Sequence, residues 1–199
     1  MPLGMMYTIT HLASLTDMPV EHAIAAATGN KAKVYNLNSG FLAEGKDADW
    51  EAMFQSNALG ILRVSRAMLP LMKPYSGGII INVGSIAGRV AYEGGSAYCA
   101  SKAAEHSITK TLRLELNGTG LRVGTIDPGM AETEFSMVRL KGDKQKADAV
   151  YAGVEPLTAG DVAEAIVWAA NRPPHGCIDE FLMMCTAHAA PYKVLRTVA

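Results

Sequence analysis

Tyr98 and Lys102 stand four residues apart in Tyr98-Cys-Ala-Ser-Lys102, with Ser85 thirteen residues before Tyr98 and Asp127-Pro128-Gly129 downstream. On a helix that spacing puts both side chains on one face, where an ammonium can favour the ionised form of a phenol. An unperturbed Tyr titrates near pH ~10, and a general acid or base works best when its pKa lies close to the operating pH. A hydroxyl from Ser85, held at the end of a preceding strand, can fix a substrate carbonyl or alcohol oxygen beside the phenol. The set supplies a proton donor, a group to tune it and a holder for the reacting oxygen.

The elements that must position these groups are legible around them. Gly78-Ile-Ile-Ile-Asn-Val83 is a short apolar run bounded by glycine, the pattern of a strand buried on both faces, and Gly84-Ser85 follows at its carboxyl end. Ligands of open α/β sheets bind at those ends. Trp50, Phe54, Ile61, Val64, Met68 and Leu71 recur at helical spacing and predict one helix from Asp49 to Met72. A second helix is expected from about Tyr98 to Asn117, stopped by Asn117-Gly118, and a second buried strand from Leu121 to Ile126. Thr158-Ala-Gly-Asp161 opens a third helix as a capping arrangement, Arg172-Pro173-Pro174 closes it, and Ile178 to Met184 is the last strand. Strands alternating with helices and no internal repeat describe a single α/β domain over residues 1–199.

In these motifs the chain resembles the short-chain dehydrogenase/reductase family. Asn82-Val-Gly-Ser-Ile-Ala-Gly88 resembles its serine motif and Tyr98-Cys-Ala-Ser-Lys102 its Tyr and Lys pair. The resemblance implies a Rossmann-like, doubly wound parallel sheet and hydride transfer with a nicotinamide cofactor. It makes Ser85, Tyr98 and Lys102 catalytic, and it adds Asn57, in Gln55-Ser-Asn-Ala-Leu-Gly60, as the residue whose backbone holds a water connecting Lys102 to solvent. The cofactor is then expected against Asn38, Tyr98, Lys102, the turn Pro128-Gly129-Met130, and Thr133. The stretches Thr133 to Asp143 and Ile178 to Met184 are most similar to the NADP-dependent 3-hydroxy acid dehydrogenases, which implies NADP, with NAD as the alternative, and a small 3-hydroxy acid as substrate. Arg139 can pair a substrate carboxylate through its fork of donors, and the segment 130–153 is expected to form a substrate lid or a solvated surface helix. A homodimer or homotetramer, built through the helices near 49–72 and 98–117, is the expected assembly.

The pattern departs from the family at its start. The family's Thr-Gly-x-x-x-Gly-x-Gly loop presents backbone N–H groups to the cofactor pyrophosphate, and neither Thr28-Gly29 nor Thr119-Gly120 continues into it. Ser14 to Asp17 is similar to the end of the family's third strand, so the chain is expected to be N-terminally truncated, its first strands and glycine-rich loop, about 50 residues of βαβ structure, being absent. Leu37-Asn38-Ser39-Gly40 stands where the family has Asn-Asn-Ala-Gly, and Lys31 and Lys33 suit an exposed edge strand. These departures imply weak binding of the cofactor, and an alternative reading in which the chain keeps fold and self-association without catalysis.

A net charge of −1 and mixed charges exclude a basic field for nucleic acid or an anionic membrane. Cys99, Cys177 and Cys185 leave one thiol unpaired under any disulfide scheme, and no segment has signal-peptide or membrane-spanning character, so a soluble cytoplasmic protein is expected. The five histidines are scattered without metal-ligand spacing, and no metal is expected. Tyr92 and Tyr151 can line a pocket or pack under loops.

Overall fold

A computed structural model describes residues 47–72 and 77–197. The expectations placed on Ser14–Asp17, the Lys31 and Lys33 edge and Asn38 lie outside those residues. The chain enters through helix α1 (Asp47–Phe54), a π-helical segment (Gln55–Leu59) and helix α2 (Gly60–Met72). Strand β1 (Ile79–Val83), a short 3-10 turn (Ile86–Gly88), helix α3 (Ser96–Glu115) and strand β2 (Arg122–Pro128) follow. Short elements β3 (Ala131–Glu132), α4 (Phe135–Arg139), α5 (Lys144–Tyr151) and β4 (Leu157–Thr158) occupy the expected lid segment and lead to helix α6 (Ala159–Ala170). Strand β5 (Glu180–Met183) and the antiparallel pair β6 (His188–Ala190) and β7 (Lys193–Val194) complete the chain.

The main sheet has the order β1-β2-β5 and is parallel throughout, with Ile79 beside Arg122, Val83 beside Ile126 and Pro128 beside Met183. Its two faces are covered by different helices, because residues alternate across a strand. Ile79, Ile81 and Val83 pack with Val162, Ile166 and Ala169 of α6, while Ile80 and Val123 pack with Leu112 of α3 and Met72 of α2. Burying each of the larger side chains here contributes roughly 1.5–3 kcal/mol, which is why β1 carries apolar residues on both faces rather than alternating with polar ones. Its one polar residue, Asn82, is fully buried and donates from Nδ2 to Thr109 Oγ1 at 2.8 Å.

The helix expected from Asp49 to Met72 is interrupted. The π winding at residues 55–59 shifts the buried face, so that Ile61, Ser65 and Met72 are buried after it, and Leu71, assigned to the apolar face by its spacing, is 58% exposed. The other elements fall within a few residues of expectation. α3 starts at Ser96 and stops before the left-handed Gly118, β2 extends through Asp127-Pro128, and Thr158 and Asp161 form a reciprocal capping box.

Gly124 on β2 is required by a backbone contact. A Cβ there would lie 2.0 Å from the Ile178 carbonyl oxygen and 3.0 Å from that of Asp179. Gly124→Ala is therefore expected to cost about 3 kcal/mol, the upper end of the overpacking range, because main chain and not a side-chain tip has to move. Urea unfolding reads this directly, and an unchanged midpoint would show that the Ile178–Asp179 segment before β5 can retreat without loss.

Candidate active site

The carboxyl end of β1 delivers three consecutive residues to one place. The Val83 carbonyl accepts a hydrogen bond from Lys102 Nζ at 2.7 Å. Gly84 follows, and Ser85 caps the 3-10 turn by accepting from the Ala87 N–H at 3.1 Å. Gly88 closes that turn against α3, where a Cβ would lie 2.8 Å from the Lys102 carbonyl oxygen. This close approach sets Ser85 near enough to Tyr98 for its hydroxyl to act on the phenol, and Ser85 Oγ lies 3.5 Å from the Pro128 carbonyl. The Tyr98 ring is half-buried and packs on Phe135 of α4, with centroids 5.5 Å apart.

The phenol differs from expectation in the direction of its shift. Burial raises its pKa above the ordinary value, against a smaller lowering from the Ser85 hydroxyl, and the ammonium of Lys102 is not among the main influences. The reason is geometric, since Lys102 is fully buried and engaged by the Val83 carbonyl. Burial lowers the pKa of that ammonium, while Glu105 and Asp127 raise it. The raised pKa thus keeps the phenol protonated at neutral pH and moves it away from the range in which a general acid works best.

Asn57 lies in the π segment, which packs against α3, and donates from Nδ2 to Ser101 Oγ at 2.9 Å, one residue before Lys102. π windings are frequent at functional sites. At the β2 end, Gly129 donates to the Met183 carbonyl at 2.7 Å and Met130 N–H to His188 Nδ1 at 3.1 Å. Burial lowers the pKa of His188, in keeping with a neutral ring that accepts at Nδ1. Thr133 Oγ1 accepts from the Phe135 N–H at 3.2 Å. Among the described residues, Ser85, Tyr98, Lys102, Asn57 and the Pro128–Thr133 turn are therefore brought to the carboxyl ends of β1 and β2. Tyr92 packs under Gly95, where a Cβ would meet its ring at 2.4 Å, and Tyr151 bonds Ser136 and the Ala131 carbonyl to hold α4 and α5 together.

Behind the hydroxyl pair is a charge cluster that sequence reading missed. Asp127, fully buried, accepts from Arg89 Nε at 2.9 Å, from Thr125 Oγ1 at 2.9 Å and lies 2.7 Å from His106 Nε2. Arg89 also pairs with Glu180 at 2.6 Å, which Lys110 meets at 2.8 Å. Glu105, His106 and Asp127 bring three potential ligand atoms within 4.8 Å of one another, but Arg89 and Lys102 already supply positive charge to these carboxylates.

A family model described as short chain dehydrogenase matches residues 22–144, more than half of the chain. The chain is 42% identical over 170 residues to the NADP-dependent 3-hydroxy acid dehydrogenase of Schizosaccharomyces pombe, covering 82% of this chain and 66% of that protein. It is 39% identical over 149 residues to the serine 3-dehydrogenase of Agrobacterium fabrum, covering 74% and 59%. A solved structure, the closed form of serine dehydrogenase complexed with NADP+, superposes with a TM-score of 0.73 at 38% identity over 80% of this chain and 64% of that one. The chain belongs to the short-chain dehydrogenase family. It spans from 55% to 71% of the length of these and other curated relatives. No helix among the described residues is long and apolar enough to cross a membrane.

Proposed function

We propose that the chain carries the substrate and proton-exchange half of an NADP-dependent oxidoreductase acting on a small 3-hydroxy acid, with NAD as the alternative cofactor. The observation that carries this reading is the Tyr98 phenol set beside the Ser85 hydroxyl at the carboxyl end of β1. In carbonyl reduction Ser85 holds the substrate oxygen and Tyr98 gives it a proton, with Lys102 and Asn57 returning the proton from solvent. The nicotinamide, when bound, supplies the hydride. Pro128, Gly129, Met130 and Thr133 would hold it, beside Tyr98 and Lys102, and the fixed hydrogen bonds of Gly129 and Met130 fit a rigid face for a flat ring. Asn38 belongs to the same proposal. The relatives named for 3-hydroxy acids and serine support the choice of substrate, as does the subgroup likeness of residues 133–143.

Arg139 supports an acidic substrate. Its guanidinium lies 5.7 Å from the Tyr92 ring centre, and its charge lowers the pKa of Tyr92 and Tyr98 alike, against the burial that dominates both. A cation that acts on the phenol is placed to act on a carboxylate bound there. Self-association as a homodimer or homotetramer is part of the same reading, with Leu71 on α2 and Leu114 on α3 both well exposed.

The test begins with calorimetric titration of the purified chain with NADPH, followed by reduction of a 3-oxo acid and of its uncharged methyl ester. Arg139→Met is expected to raise KM for the acid about tenfold to a hundredfold, the worth of a charge-assisted hydrogen bond, and to leave the ester unchanged. Absence of NADPH binding would remove the cofactor assignment. Equal effects on acid and ester would remove the acid one.

A further inference from the structure

We propose that Glu105 is a positioning residue for Lys102: with Asp127 it forms a buried counter-charge that fixes the ammonium on the Val83 carbonyl, behind the Ser85 and Tyr98 hydroxyls. The proposal rests on the reading of Lys102 as part of the proton exchange.

Glu105 lies one turn beyond Lys102 on α3, and both are fully buried. Its Oε1 accepts from Thr109 Oγ1 at 2.9 Å, with Thr125 Oγ1 at 3.4 Å, whereas its Oε2 has no hydrogen-bond partner among the described residues and lies 3.9 Å from His106 Nε2. A buried carboxyl oxygen without a donor is costly unless a charge nearby compensates it. The other charges of the cluster are engaged elsewhere. Arg89 is shared by Asp127 and Glu180, Lys110 is taken by Glu180, and His106 faces Asp127. Lys102, held by a neutral carbonyl, is the cation that matches Glu105.

The shape of β1 agrees. A Cβ on Gly84 would lie 1.9 Å from Asp127 Oδ1 and 2.8 Å from Glu105 Oε2, so the strand gives up a side chain at that point to admit both carboxyl groups. Three successive residues then have three tasks: Val83 holds the ammonium, Gly84 admits its counter-charges, and Ser85 sets its hydroxyl beside the phenol. Burial lowers the pKa of Lys102 and raises that of Glu105, and in each case the partner's charge opposes the shift.

The experiment reads the Lys102 proton itself, in the full chain without cofactor or substrate, so its outcome is separable from whether the chain turns over. Lysine labelled at Nζ with nitrogen-15 is titrated by NMR in the wild-type chain, in Glu105→Gln and in Glu105→Asp. Loss of the carboxyl charge is expected to lower the Lys102 pKa by about one unit or more, with Asp restoring part of it. A folded Glu105→Gln chain with an unmoved Lys102 titration would overturn the proposal. Should the Gln variant not fold, the wild-type chain still decides: the Glu105 Cδ and Lys102 Nζ curves must each carry an inflection from the other, and two independent curves would overturn it.

Discussion

Tyr98→Phe is expected to slow hydride transfer by about 10²–10⁴-fold, the range that a positioned general acid contributes. The substitution removes one oxygen and keeps the ring, so packing on Phe135 survives. The fold should lose no more than about 1 kcal/mol, the net worth of a single hydrogen bond from the lost hydroxyl. Rate and stability are therefore predicted to separate: the same thermal midpoint within a few degrees, with turnover nearly abolished. Because the phenol is raised by burial, it stays protonated across neutral pH, and the wild-type rate of carbonyl reduction should not fall with a phenol titration below pH ~10. Single-turnover assays at saturating cofactor provide the check, and a variant with wild-type turnover would end the assignment of Tyr98 as the acid.

Asp127→Asn has the opposite signature, a large stability loss. The carboxylate is fully buried among Arg89, His106 and Thr125, and removing one partner of such a buried pair costs about 3–5 kcal/mol because the remaining charges are left uncompensated. Burial alone would raise the pKa of Asp127, but the bonds from His106, Arg89 and Thr125 prevail and hold it below the ordinary carboxylate range. A depressed folded-state pKa means that the stabilisation is present above the unfolded value of ~3.9 and is lost as pH falls through the folded one. Wild-type stability should accordingly drop below about pH 4, and the Asn variant, already weakened at pH 7, should show a shallower drop there. Urea melts at pH 7, 4 and 3 measure both effects; parallel losses in the two proteins would place the acid sensitivity elsewhere.

The sheet and the hydroxyl pair were legible because they depend on local signals. Ile79 to Val83 is apolar at every residue but Asn82, and a strand read that way has to be buried on both faces, as it is. Thr158 and Asp161 announce the start of α6 by a reciprocal bond between near neighbours. Tyr98, Lys102 and Ser85 combine helical spacing with a strand end, and the fold brings them together. Hydrogen-bond register has no such signature: Gln55 to Leu59 contain nothing that distinguishes a π winding from an α one, and the face assigned to Leu71 was lost with it. The charge cluster was hidden for another reason. Glu105 and His106 are charge-bearing residue types that usually mark a solvated face, yet Tyr98, Lys102, Glu105, Thr109 and Leu112 recur at helical spacing, so Glu105 had to share the buried side. That signal was available. The contact of His188 with the Met130 amide crosses 58 residues and leaves no local trace.

The π segment before Gly60 also bears on how this protein tolerates changes of length. A π turn closes i→i+5 hydrogen bonds in place of i→i+4, so it takes up one residue more than the α-helix would need, and each α-helical residue turns the chain by about 100°. Deleting one residue between Gln55 and Leu59 would let the ladder run unbroken from α1 into α2 and improve the backbone bonding. It would also rotate α1 by that angle against α3, carrying the Asn57 amide away from Ser101. For this helix a single-residue deletion is a change of aim rather than of length, and a straighter, more stable variant would be the one that had lost its grip on the neighbour of Lys102.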